Sequence, residues 1–135
     1  MKKLFVLWLC CLFTGCSYIP PSTPEQAKQE RIKMLSQVDL SNGVDAKEAD
    51  ILGGLYFVNF VSGCGVTGKP IDRGDYWELE MYIGIAAQKS EDNIKIDKQT
   101  GKISLRGRPA LTKPIEELTR LIKAPEGLEK FRIKK

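Results

Sequence analysis

An α+β fold is what this 135-residue sequence predicts: helices packed on a three-stranded antiparallel meander, with a short helix closing the chain. Three observations carry that reading. Between residues 23 and 62 two capping signals precede helical stretches, and the second stretch is rich in apolar residues. Between 76 and 105 apolar and polar residues alternate with period two around a glycine-bearing turn, and after Pro114 the helical spacing returns. Helices segregated from a run of short strands mark α+β, where strict strand-helix alternation would mark a parallel sheet.

The first helix is announced by Thr23-Pro24-Glu25-Gln26: a capping threonine, proline at the first helical position, and Gln26 three residues after the cap. It is expected over 24–36 and to pack lightly, because Ala27, Met34 and Leu35 are its few apolar members. Ser41-Asn42-Gly43 breaks the chain, and Asp45, with Glu48 in the box position, caps a second helix over 46–62. Ala49, Ile51, Leu52, Leu55, Tyr56, Val58 and Phe60 make this the central core helix. Gly53 and Gly54 each cost it about 1 kcal/mol relative to alanine, a cost that close approach to a sheet would offset.

Tyr76 to Ile83 alternates strictly. Trp77, Leu79, Met81 and Ile83 share one face, and Glu78, Glu80 and Tyr82 the other, as in a half-buried strand. Ile94 to Asp97 and Lys102 to Leu105 repeat the alternation on either side of Lys98-Gln99-Thr100-Gly101, whose glycine suits the left-handed position of a hairpin. Ala86 to Asn93 is expected to be the loop leading into that hairpin. Pro114 opens the last helix, whose Ile115, Leu118, Leu121 and Ile122 form one stripe ending before Ala124-Pro125. The domain is thus expected over 24–125, followed by a basic tail over 126–135 carrying Lys130, Arg132, Lys134 and Lys135.

Ahead of the domain, Met1-Lys2-Lys3 is positive and Leu4 to Phe13 is apolar without a charge. Ten residues are about half of what a membrane-spanning helix needs, so the segment reads as the core of an export signal. Small residues then lead to a cysteine in Phe13-Thr14-Gly15-Cys16. The stretch resembles the lipobox of bacterial lipoproteins, with Phe13 where leucine is usual. The resemblance implies that residues 1–15 are cleaved and that Cys16 becomes the acylated first residue, carrying diacylglycerol and an amide-linked fatty acid such as palmitate. Ser17 stands where aspartate would favour inner-membrane retention, so the implied address is the outer membrane's inner leaflet, facing the periplasm. Residues 16–23 would then be a tether, stiffened by Pro20 and Pro21 and giving about 20 Å of stand-off.

Composition narrows the chemistry. With Lys2 and Lys3 removed the net charge falls from +4 to +2, too little for a nucleic-acid footprint. Cys10 and Cys11 leave with the signal and Cys16 takes lipid, so Cys64 has no internal partner and is expected to be buried or half-buried, the alternative being a thiol open to intermolecular pairing. No histidine occurs anywhere, which removes Cys-His and Ser-His-Asp machinery and every histidine metal site. Gly63 to Lys69 has the spacing of a phosphate loop, but Pro70 stands where a magnesium-binding hydroxyl belongs, and a helix precedes it where a strand should. Asp92, Asp97 and Gly101 lack the alternate-position oxygens of a calcium loop. Arg73-Gly74-Asp75 reads as a turn before the strand. Glu78 and Glu80 lie about 7 Å apart on one strand face, a separation within the glycosidase range, but alternating acids on a solvated strand face are far commoner and the pair is read as that.

A core helix ending in glycine, a loop, a strand opening with Asp75-Tyr76-Trp77, and the hairpin Ile96-Asp97-Lys98-Gln99-Thr100-Gly101-Lys102-Ile103 together resemble the small NTF2-like, cystatin-like domains of bacterial immunity proteins. PepSY-type inhibitory domains share the hairpin pattern, and the accessory lipoproteins of outer-membrane barrel assembly place helices before a similar meander. These resemblances imply a non-enzymatic, protein-binding or inhibitory module without cofactor, metal or small-molecule substrate. A structural accessory of an envelope complex is the alternative. The expected anchor is the membrane through Cys16, and a protein partner is expected to meet either the sheet face, with Glu78, Glu80 and Tyr82 as contact residues, or the Ala86 to Asn93 loop.

Overall fold

The structure, a computed structural model, describes residues 23–124. The expected signal, Cys16 with most of its tether, and the basic tail lie outside the described residues. Among those described, no helix is long and apolar enough to cross a membrane.

Both capping signals act as the sequence expects. Helix α1 spans Pro24–Leu35; Thr23 Oγ1 accepts the Gln26 N–H at 3.2 Å, and Gln26 Oε1 accepts the Thr23 N–H at 2.8 Å. Helix α2 spans Ala46–Phe60, two residues short of expectation: the Ser62 N–H donates to the Phe57 carbonyl at 3.0 Å, five residues back where a helical bond would reach four, and the chain leaves the helix. Asp45 Oδ1 accepts the Glu48 N–H at 2.8 Å, and Glu48 Oε2 accepts the Asp45 N–H at 3.0 Å. The second oxygen of Glu48 accepts the Asp39 N–H at 2.8 Å. One carboxylate therefore ties the α1–α2 connection to the start of α2.

The strand region is richer than one meander. Strands β1 (Gly65–Thr67) and β2 (Ile71–Asp72) form where a loop was expected. The expected strand over 76–83 is divided at Glu80 into β3 (Tyr76–Leu79) and β4 (Met81–Ile83), and Gln88–Lys89 forms β5. Ile94–Asp97 is β6 and Ile103–Ser104 is β7. All pairings are antiparallel: β2-β3-β6-β7 in one sheet and β1-β4-β5 in the other. The meander β3-β6-β7 is thus present, extended by β2 and joined at Glu80 to a second sheet. Ala86 to Asn93 is not one loop; a turn over 84–87 folds β5 back on β4, with Tyr82 opposite Lys89. Gly101 takes the left-handed conformation, φ +71°, that the β6–β7 turn requires.

Helix α2 lies on the inner face, where Ala49, Leu52, Leu55, Tyr56 and Phe57 meet Leu79, Met81, Ile94, Ile96 and Ile103 in one core. Gly53 admits the sheet: a Cβ there would run into Leu79 Cδ2 and stand 3.3 Å from Cδ1, whereas one at Gly54 would meet nothing within 4 Å. Close approach therefore explains the first glycine alone. Helix α3 (Pro114–Lys123) closes the core with Leu118 and Ile122. The alternation loses its hold at both ends of the long strand. Trp77 is half-buried, with its indole N–H donating to the Val44 carbonyl at 2.8 Å and Lys98 Nζ lying 4.3 Å from its ring centroid. Ile83, expected inside, is 38 % exposed, because the core ends beneath Met81. Val58 of α2 is likewise exposed, since it faces away from both sheets' core side.

Candidate functional site

The bend at Glu80 gathers the nominated contact residues on the outer side of the junction between the two sheets. Because Leu79 and Met81 both point inward and are buried, Glu78, Glu80 and Tyr82 must share the opposite face. The structure brings Glu80 and Tyr82 into direct contact: the phenol donates to Glu80 Oε2 at 2.7 Å. Lys89 Nζ, delivered across the β4–β5 hairpin, donates to Glu80 Oε1 at 2.6 Å. Glu78 is engaged separately, accepting from Arg73 Nη2 at 3.0 Å across the β2–β3 turn. Arg73 and Lys89 went unnominated in the sequence, although each is a cation just beyond an acidic strand.

This pairing changes what the two acids are. They are not free charges on a solvated face: the side chain of Glu78 keeps 13 % of its exposure and that of Glu80 26 %. Bonds from Lys89 and then Tyr82 hold the Glu80 carboxyl below the ordinary carboxylate range. Its two partners move the other way, since the bond to Glu80 raises both the Lys89 ammonium and the Tyr82 phenol. Arg73 is raised by its bond to Glu78. A carboxyl pushed downward is the opposite of what a glycosidase's general acid needs at neutral pH. The acids are thus paired: Glu80 with Tyr82 and Lys89, and Glu78 with Arg73.

Beside it lies an apolar edge that the sequence reading missed. Val66 of β1 sits opposite Tyr82 and is 60 % exposed; Ile85, at the tip of the β4–β5 turn, is 99 % exposed. Cys64 is close by, its carbonyl accepting the Gly84 N–H at 3.1 Å. Its thiol was expected to be buried or half-buried and is exposed, because β1 forms the border of its sheet and leaves the residue before it uncovered. The signal for this edge was present: Tyr82 to Gln88 is an uncharged run laid across a turn, where loops are ordinarily polar. Gly63 to Lys69 makes no phosphate cradle, since its middle three residues are strand β1. Arg73-Gly74-Asp75 forms the expected turn, closed by the Arg73 N–H donating to the Tyr76 carbonyl at 3.0 Å. Among the described residues no group of three or more cysteine or carboxylate side chains is placed to hold a metal ion.

No family model matches this chain, and neither a curated protein nor a solved structure does.

Proposed function

We propose that this chain is a lipid-anchored protein of the bacterial envelope that acts by stoichiometric binding to a protein partner. The observation that carries the anchor is the N-terminal order of Lys2-Lys3, an uncharged Leu4 to Phe13, and small residues leading into Cys16. Two or three acyl chains hold a protein on a membrane, where one would bind reversibly. Ser17, where aspartate would favour retention in the inner membrane, favours the outer membrane with the domain facing the periplasm. The binding reading is supported by the ordered face of Arg73, Glu78, Glu80, Tyr82 and Lys89 with Val66 beside it: an exposed apolar group in a rim of fixed polar groups is how contact surfaces are commonly built. The absence of histidine from the sequence supports binding over catalysis, and confinement to a membrane raises the effective concentration of such an inhibitor.

Two measurements test this. Cells fed a fatty-acid analogue should label the chain at Cys16, and Cys16→Ser should abolish the label; label retained in the variant overturns the anchor. Affinity capture from membranes then tests the face. Simple charge reversal at Glu78 or Glu80 would strand Arg73 and Lys89, so the informative variant is the double exchange E80K/K89E, which keeps the ion pair and inverts its direction. Loss of the captured partner is expected, with a melting temperature lowered by no more than the one hydrogen bond from Tyr82 to Glu80 accounts for. Equal capture by wild type and exchange overturns the face, and turnover of an envelope substrate by the purified protein overturns the binding reading.

A further inference from the structure

The turn between β4 and β5 is unlike the rest of the surface. Ile85 at its apex is 99 % exposed, more than any other large apolar side chain among the described residues, and Ala86 and Ala87 follow it. From Tyr82 to Gln88 there is no charge. Ala87 holds φ +48°, a conformation in which glycine or asparagine is ordinarily found. A turn selected only for folding and solubility would carry glycine at 87 and a polar residue at 85. An exposed isoleucine on a turn that also holds an alanine in the left-handed region is a combination that folding alone does not call for and that a contact would put to use.

From these features we infer that the 84–87 turn inserts into the surface of the lipid bilayer, seating the domain on the membrane that anchors it. The inference rests on the Cys16 anchor proposed above. Seven residue steps separate Cys16 from Thr23, a reach of about 24 Å at full extension. A domain of this size is about 33 Å across, so the membrane is never farther from it than its own width. The connection from α1 reaches α2 at its start, where the Asp39 N–H donates to Glu48 Oε1. The 84–87 turn belongs to the other end of α2, where Phe57 approaches Gly65.

Magnitude favours lipid over protein as the occupant. The apolar side chains of the turn itself, Ile85, Ala86 and Ala87, are too few to fill the roughly 800 Å² per partner that a stable protein interface buries. Burying one isoleucine strengthens association by about 10- to 100-fold, which is decisive only where a tether has already brought the surfaces together. A contact without charges should also be indifferent to the charge of the lipid headgroups.

The test uses the mature acylated chain reconstituted in vesicles, with an environment-sensitive dye on Ile85→Cys or, as control, on Gln99→Cys at the β6–β7 turn, both in a Cys64→Ser background. The mass of the mature chain reports acylation independently, so failure of the anchor and failure of the insertion are told apart. Emission from position 85 should shift to the blue and be quenched by bromine-labelled lipid, equally in pure phosphatidylcholine and in phosphatidylethanolamine with one quarter phosphatidylglycerol; position 99 should behave as in water. A water-like, unquenched dye at 85 on a correctly acylated chain overturns the inference. So does quenching confined to anionic vesicles, which would assign the contact to basic residues, or a shift seen only on adding a protein partner.

Discussion

Two adjacent glycines in α2 have opposite reasons to exist, and alanine separates them. At Gly54 the added methyl meets open space, so the substitution should stabilise the domain by about 0.5 to 1 kcal/mol through helix propensity. At Gly53 it runs into the end of Leu79, a residue with no exposure and little room to yield; an overpacking cost of about 1 to 3 kcal/mol should outweigh the same propensity gain. Urea midpoints that move in opposite directions are the expected result, and equal shifts would mean that α2 does not press on the sheet at Gly53. Trp77 is a second case in which position within the fold sets the magnitude. Removal of a fully buried aromatic costs about 3 to 5 kcal/mol, but this ring is half-buried, so Trp77→Ala belongs near the bottom of that range. Trp77→Phe keeps most of the packing and loses the bond to Val44, a cost of about 1 kcal/mol.

At the scale of elements, Glu48 does more than a box residue requires. One carboxylate oxygen caps α2 and the other holds the connection from α1 through the Asp39 N–H. Glu48→Ala should therefore cost about 2 kcal/mol, the sum of two backbone bonds, while Gln26→Ala in the box of α1 should cost about 1 or less. Thermal denaturation of the two variants side by side decides it, and equal losses would show that the Asp39 bond contributes nothing. The β6–β7 turn has a comparable centre in Asp97, whose Oδ1 accepts the Gln99 N–H, the Thr100 N–H and the Thr100 hydroxyl at 2.7 to 3.0 Å. Those Thr100 bonds hold its carboxyl below the ordinary range. The turn should loosen as pH falls through that lowered value, which amide exchange at Gln99 and Thr100 would register.

For the molecule as a whole the charged groups divide into two sets with no histidine between them. Asp39, Asp72, Glu80 and Asp97 are all lowered: Asp39 chiefly by the Ser41 backbone, Asp72 by Lys98, Glu80 by Lys89 and Asp97 by the Thr100 backbone. A lowered carboxyl stabilises the fold fully above its unfolded pKa of about 4, and that contribution is lost as pH falls through the folded value. Tyr56, Tyr82 and Lys89 are raised, Tyr56 to about 12 by burial. Their contribution is complete below about pH 10 and is lost as pH rises through the raised values. Stability should thus be level between about pH 5.5 and 7.5, decline below about 4 and decline again above about 10. A slope in the level window, measured by chemical denaturation at fixed ionic strength, would show a titrating group that the described residues do not account for.

What the sequence determined by itself is local. Thr23 with Gln26, Asp45 with Glu48, Pro114 and Gly101 each act on backbone within a few residues of themselves, so their chemistry is written where it operates, and all four features stand in the structure. The period-two pattern over 76–83 was equally legible in assigning faces through its middle, and it placed Glu78, Glu80 and Tyr82 together on the outer side. That pattern could not show the break at Glu80. Both halves of the strand bury the same parity, and a change of pairing partner leaves no mark on side-chain alternation. Strands of two or three residues such as β1, β2 and β5 have too short a run to declare a period, and exist because β4 and β3 offer them an edge. Exposure was decided in the same way. Cys64, Ile83 and Val58 are residues that ordinarily go inside, but burial is a property of what lies across from a side chain, and only the tertiary arrangement leaves those three uncovered.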